Sequence, residues 1–223
     1  MFLDPSWRIL TVGDGDLSFS HSVARYIKPA KLVASTYDDA NTIEQKYADN
    51  ALSALQQLNI ETLTEFDVTR PDSWQRLDGA CFDVVIFQFP LIPAFKGEAA
   101  FKAHTQQGGM NVLNRALLHR YLDYASQFAL DKNGPMLCYI TSKDVKPYRE
   151  WNFEGSLNQG LNCQYLGQTA APASKRARRH PPTGGYCQGQ DPTGQLFHGD
   201  AMLALSRTIS TLSIQPDEQR VAI

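Results

Sequence analysis

Near the N-terminus, Gly13-Asp14-Gly15-Asp16 stands between an apolar run, Arg8 to Val12, and a helical pattern around His21 to Tyr26. Two glycines at such a turn let a ligand approach the main chain, and free N–H groups at the start of a helix favour a negatively charged group. Open α/β sheets bind their ligands at this position, beyond the strand ends. The spacing is G-x-G-x-x-S, with Ser18 where a dinucleotide fingerprint has its third glycine, which argues against a nicotinamide dinucleotide. Asp14 and Asp16 would repel a pyrophosphate. They suit a cation, such as the ammonium or sulfonium of S-adenosylmethionine. An ordinary tight turn is the alternative reading of the same residues.

Further acids follow at the ends of the next apolar runs. Asp38 lies about 20 residues beyond the loop, where a carboxylate accepts hydrogen bonds from ribose hydroxyls. Asp38 and Asp39 also precede a helical pattern at Asn41, so a helix cap is the competing role. Asp67 is placed to meet an adenine edge, or to close an Asx-turn before Pro71. Lys175, Arg176, Arg178, Arg179 and His180 form the dense basic cluster of the chain and read as phosphate contacts or as a solvated loop. Tyr186, with Phe95 and Phe101, can stack a base. Trp151 and Phe153 read as core or pocket wall.

The elements that must position these residues alternate. Strands are expected at Arg8 to Val12, Lys31 to Tyr37, Thr62 to Phe66, Asp83 to Phe89 and Met136 to Thr141, as short apolar runs closed by turn residues. Helical spacing runs from Asn41 to Leu58 through Ile43, Tyr47, Leu52 and Leu55, with Asn41 and Glu44 as a capping box. Pro71 opens a short helix carrying Trp74 and Leu77. Helices are also expected at Val112 to Leu130, with Leu113, Leu117, Tyr121 and Phe128 near one face, and at Tyr148 to Leu157. The stretch 91–110 is too long for a plain connection and reads as a functional loop. Cys163 to Gly167 and the apolar run from Ala201 to Ile209 suggest a strand pair around a long Pro/Gly/Arg/Gln-rich insertion, 170–195. The alternation implies a mainly parallel α/β sheet with helices on both faces.

Composition fits one domain over 1–223, with 43% hydrophobic, 10% aromatic and 20% charged residues. A formal charge of −2 excludes a globally basic nucleic-acid binder, so any polyanion site must be local. Cys81, Cys138, Cys163 and Cys187 are scattered without the pairing a zinc site needs, so no metal is expected and the thiols read as free in a reducing compartment. There is no basic leader and no apolar run near the roughly 18 residues of a membrane span, so a cytoplasmic location without membrane contact is expected.

Ile9-Leu-Thr-Val-Gly-Asp-Gly-Asp-Leu-Ser-Phe-Ser20 resembles the opening motif of the rRNA uridine-N3 methyltransferase-like family. Ala34-Ser-Thr-Tyr-Asp38, Phe66-Asp-Val-Thr69, Phe82-Asp-Val-Val-Ile-Phe-Gln-Phe-Pro90, the stretch from Asn114 and Pro147-Tyr-Arg-Glu-Trp151 look like further landmarks in the same order. The resemblance runs from about Arg8 to Tyr186. It implies a Rossmann-like class I methyltransferase with a seven-stranded sheet and S-adenosylmethionine as cofactor. The implied cofactor contacts are Gly13, Gly15, Asp16, Asp38 and Asp67, to which Asp14 and Ser18 are added from the loop reading. The implied acceptor is a uridine N3 in RNA.

One departure stands out: family members usually read Asn-Phe-Pro-His after the fourth strand, and this chain reads Gln88-Phe89-Pro90-Leu91. That strand end resembles the Asn/Asp-Pro-Pro-aromatic motif of base-amino methyltransferases, in which a polar side chain and a carbonyl hold the target nitrogen. Gln88 and Pro90 are the counterparts here, Gln88 bordering the cofactor as well, and Phe89 and Leu91 adjoin the acceptor. His180, with an ordinary pKa of about 6.5, is a candidate acceptor for the uracil proton. Arg176, Arg178, Arg179 and Tyr186 are the candidate RNA contacts. A small-molecule N-methyltransferase and a non-catalytic domain binding S-adenosylmethionine or RNA are the alternative functions.

Overall fold

The computed structural model describes residues 3–93, 95, 97–106, 108–143, 148–153, 155–169 and 208–214. Strands β1 (Arg8–Val12), β2 (Lys31–Ser35), β3 (Glu61–Leu63), β4 (Val84–Gln88), β5 (Leu137–Ser142), β6 (Cys163–Thr169) and β7 (Thr208–Ile214) form one sheet in the order β3-β2-β1-β4-β5-β7-β6. The first five are parallel, and β7 runs antiparallel between β5 and β6. The chain leaves β1 for β2 on one side and reaches β4 on the other, so the strand order reverses beside β1. That switch point is where open α/β sheets leave a crevice for ligands.

Alternation along the strands gives the sheet two apolar faces. Ile9, Leu32, Val84, Ile86 and Tyr139 pack beneath Phe19 and Val23 of α1 (Ser18–Ser22) and the π-helical turn Val23–Ile27 that continues it. Leu10, Val12, Val33, Val85, Phe87, Cys138 and Ile140 face the other way, onto Trp74 of α4 (Pro71–Gln75) and onto Leu117, Leu118, Tyr121 and Leu122 of α6 (Met110–Tyr124). Helices on both faces of a mainly parallel sheet are the expected α/β class.

Four local expectations are corrected. The helix read over Asn41 to Leu58 is broken into α2 (Ala40–Lys46) and α3 (Leu52–Gln57). Tyr47 turns extended, its main-chain carbonyl accepts from the Asn50 side-chain amide at 3.0 Å, and Oδ1 of Asn50 accepts the Leu52 N–H at 3.1 Å. The N-cap of α2 is Asp39, whose carboxylate takes the N–H and hydroxyl of Thr42, both at 2.8 Å, in place of the Asn41/Glu44 box. The stretch 91–110 contains a helix, α5 (Glu98–Thr105), with no buried residue, and the helix expected at Tyr148 to Leu157 is a pair of short 3-10 turns, Tyr148–Trp151 and Ser156–Asn158. At the opposite end of the sheet from the crevice, Arg8 binds Asp83 through its main-chain N–H and guanidinium and reaches Asp131 at 2.6 Å, tying the starts of β1 and β4 together. Asp83 and Asp131 are both held below the usual carboxylate range, first by these hydrogen bonds from Arg8.

Candidate functional site

The glycine turn sits at the crevice, and its residues are fixed one by one. Gly13 has φ +67, and a Cβ there would stand 2.3 Å from Cε2 of Phe87. Only glycine satisfies both the left-handed backbone and the aromatic ring underneath. A Cβ on Gly15 would stand 2.8 Å from the Tyr47 hydroxyl, which lies over the loop because the helix breaks at Tyr47. The Asp16 carbonyl accepts the Ala51 N–H at 2.9 Å, so the same break also anchors the loop from its far side.

The two acids of the turn have separate positions. The Asp16 carboxylate, partly exposed, accepts from the Ser18 N–H at 3.0 Å and hydroxyl at 2.7 Å, just ahead of α1. Asp14 is buried, and its carboxylate accepts from the Ser20 N–H at 2.7 Å and hydroxyl at 2.6 Å. Burial, and then the nearby charge of Asp16, push the Asp14 carboxyl up to about 7. Asp14 therefore staples the loop to α1 from inside the protein, while the Asp16 carboxylate stays partly exposed at the turn. Leu17, between them and the helix, is left-handed at φ 64, a costly conformation for a branched side chain and one that clusters at functional turns.

The paired acids after β2 divide as well. With Asp39 capping α2, the neighbouring Asp38 is turned to a different partner, the ammonium of Lys46 at 2.8 Å. The Asp38 side chain keeps 16% of its surface accessible. Lys46 also lies 5.0 Å over the Tyr47 ring, so the lysine, the tyrosine and Asp38 form one cluster beside the glycine turn. Asp67 closes the Asx-turn, accepting from the Thr69 N–H at 2.8 Å and hydroxyl at 2.7 Å, while its own N–H donates to Ser73.

Beside this half lies the end of β4. Pairing of Val12 with Phe87 brings the glycine turn and Gln88 to adjacent strand ends. Gln88 is buried, and among the described residues its side-chain amide has no hydrogen bond. Phe89 follows at φ 45 and donates its N–H to the Thr141 carbonyl at 3.1 Å. Pro90 is buried and Leu91 is 45% exposed, so an apolar side chain stands at the surface beyond the end of β4. Asn114, buried within the apolar face of α6, holds the loop beyond: its oxygen accepts the Ile92 N–H at 3.0 Å and its amide donates to the Met110 carbonyl at 3.0 Å. Phe95 packs against Phe101 at 5.7 Å and His104 at 4.9 Å, an aromatic group on the α5 segment. Trp151 is fully buried between Tyr148 and Phe153, a wall of the core.

Lys175, Arg176, Arg178, Arg179, His180, Tyr186 and Cys187 lie outside the described residues. Among the described residues no cluster of His, Cys, Asp and Glu could hold a metal, and no helix is long and apolar enough to cross a membrane. Four contributors to the site were not anticipated from the sequence: Lys46, Tyr47, Asn114 as an anchor, and Thr141. Only Asn114 left a trace there, as an amide interrupting an apolar helix face.

Comparison with known proteins bears on the same residues. Heavy metal-associated isoprenylated plant protein 41 of Arabidopsis thaliana is 32% identical over 150 residues, covering 66% of this chain and 27% of that protein. The chain thus spans about a quarter of the length of this relative. Among solved structures, TrmN from Thermus thermophilus matches with TM-score 0.46 at 12% identity, over 74% of this chain and 40% of that one. The ribosomal protein L11 methylase from Lactobacillus delbrueckii subsp. bulgaricus matches with TM-score 0.47 at 10% identity, over 95% and 71%. A family model described as rRNA (uridine-N3-)-methyltransferase BTM5-like matches residues 10–170. That span runs from the middle of β1 through the glycine turn, Asp38, Asp67 and the end of β4 to the end of β6, and on it the chain belongs to the BMT5-like family.

Proposed function

We propose that this chain transfers a methyl group from S-adenosylmethionine to N3 of a uridine in RNA, ribosomal RNA being the class its family description names. The observation that carries the reading is the meeting, at one switch point, of a glycine turn and a polar strand end: Gly13 follows Val12, whose register partner Phe87 precedes Gln88. The residues present fit the cofactor. Gly13 and Gly15 keep side chains off the turn, Asp16 and Ser18 border it, Asp38 is an acid suited to a ribose diol, and Asp67 flanks the place for an adenine. When bound, S-adenosylmethionine supplies an electrophilic methyl on a sulfonium, so what remains for the protein is mainly alignment.

Alignment falls to the β4 end. The Gln88 amide can donate to a base carbonyl and accept from a base N–H, and the exposed Leu91 offers an apolar contact for the ring. The proton on uracil N3 must leave, to His180 or to water. Arg176, Arg178 and Arg179 supply phosphate contacts, and Tyr186 a stacking face, in this reading. The test supplies labelled S-adenosylmethionine with total RNA and, separately, with a small-molecule extract, and identifies products by mass spectrometry. N3-methyluridine in RNA is expected. Label found only in small molecules, or nowhere, would sink the reading.

A further inference from the structure

Thr141, the register partner of Gln88 across β4 and β5, is fully buried, and among the described residues its hydroxyl has no hydrogen-bond partner. Such a group is costly to leave unpaired, so a fold that keeps one at the strand ends beside the crevice holds a donor in reserve. In a parallel pair, register partners point to the same side of the sheet and their strands lie about 4.8 Å apart. Alternation puts both on the α1 side: Gln88 follows Val84 and Ile86 there, and Thr141 follows Leu137 and Tyr139. The Gln88 amide, itself without a hydrogen bond among the described residues, is carried on the neighbouring strand and on the same side of the sheet as the Thr141 hydroxyl.

We propose that Thr141 is a positioning residue that sets which end of the Gln88 amide faces the methyl acceptor. Rotation of the Gln88 side chain brings its Oε1 to the Thr141 hydroxyl, which then donates to it, and the Gln88 NH2 is presented outward as a donor. A donor there selects a base whose target nitrogen is flanked by a carbonyl, the imide edge of uracil. It opposes a base carrying an exocyclic amino group at that position, since two donors would then face each other. This rests on the uridine reading above and narrows it to a recognition rule. The sequence alone offers no sign of it, because a threonine at a strand end is ordinary.

The test uses the full chain with Thr141→Val, which keeps the branched shape and removes the hydroxyl, Thr141→Ser, which retains it, and Gln88→Ala alone and combined with Thr141→Val. Thr141→Val should lower kcat/KM for the RNA about tenfold while leaving S-adenosylhomocysteine affinity within about twofold and thermal stability little changed, because valine keeps the branched shape and a neutral hydrogen bond contributes little net stability. Thr141→Ser should restore the activity. In the Gln88→Ala background Thr141→Val should have no further effect. Wild-type kcat/KM in Thr141→Val, or additive losses in the double variant, would overturn the proposal. The Gln88 side-chain NH2 signals in a 15N spectrum read the contact without turnover. If they move in Thr141→Val and return in Thr141→Ser while the wild type methylates no RNA, the contact stands and the uridine reading fails. If they do not move, the contact is wrong whatever the activity.

Discussion

Replacing Gly13 by alanine tests the site at its tightest point. Two separate costs arise. Placing an L side chain at φ +67 costs about 1–2 kcal/mol. The added Cβ would also meet Phe87 Cε2 at 2.3 Å, far inside contact distance, and Phe87 cannot simply swing away because its ring is buried and packs edge-on against Tyr121 at 5.2 Å. Overpacking of this kind costs about 1–3 kcal/mol. The combined loss of about 2–5 kcal/mol corresponds to a fall in Tm of roughly 4–20 °C for a domain of this size. Relief of the clash must lift the glycine turn by about an ångström, so S-adenosylhomocysteine affinity should fall at least about tenfold. Chemical denaturation and calorimetric titration measure the two effects. A second variant separates the costs: in Gly13→Ala with Phe87→Leu the overpacking fraction should disappear, giving a coupling of about 1–3 kcal/mol, while the backbone fraction stays. Gly13→Ala with stability within about 0.5 kcal/mol of wild type and unchanged ligand affinity would refute the reasoning.

Three other outcomes are expected. The Asp14 carboxyl is raised to about 7 by burial, so the folded state holds that proton more tightly than the unfolded chain; stability should fall as pH rises from about 4 to about 7. Asp14→Asn should flatten that part of a Tm-against-pH profile. Asp38→Asn should weaken S-adenosylhomocysteine binding about tenfold with little change in Tm, and Lys46→Met should change affinity in the same titration by removing the ammonium that is paired with Asp38; equal affinities in all three proteins would remove Asp38 from the site. Asp83→Asn should cost about 2–3 kcal/mol at neutral pH in urea denaturation, because Asp83 accepts two charged bonds and a main-chain N–H from Arg8. Its depressed carboxyl supplies stability above about pH 4 that is lost as pH falls through its folded value, so the variant should also lose part of the acid-side decline.

Four of the five parallel strands were legible because each is a short apolar run closed by a turn residue, whereas β3, Glu61-Thr62-Leu63, lies one to three residues before the run expected at Thr62 to Phe66; the glycine turn was legible because its position between strand and helix leaves few other uses. The paired acids were not separable. Asp14 and Asp16, or Asp38 and Asp39, are chemically alike in one dimension, and burial or cap geometry divides them only once the chain turns. The break between α2 and α3 was hidden because Ile43, Tyr47, Leu52 and Leu55 keep helical spacing straight across it, and Asn50 was the sole local sign. Helix α5 left no periodicity because it buries nothing; its Glu98–Lys102 ion pair at 2.7 Å, four residues apart, was the one available cue.

The insertion of β7 between β5 and β6 bears on how the chain is made. The segment matched by the family model ends at residue 170, and β7 is Thr208–Ile214. A nascent chain that has emerged through β6 has β1 to β5 in hand, yet the outer edge of β5 still has open N–H and C=O groups along Leu137–Ser142. Until β7 arrives, that edge is a template for any extended strand, including one from another copy. Premature termination between residues 170 and 207 should therefore yield aggregates by edge-to-edge pairing rather than a smaller soluble domain, while the glycine turn and the β4 end are already synthesised.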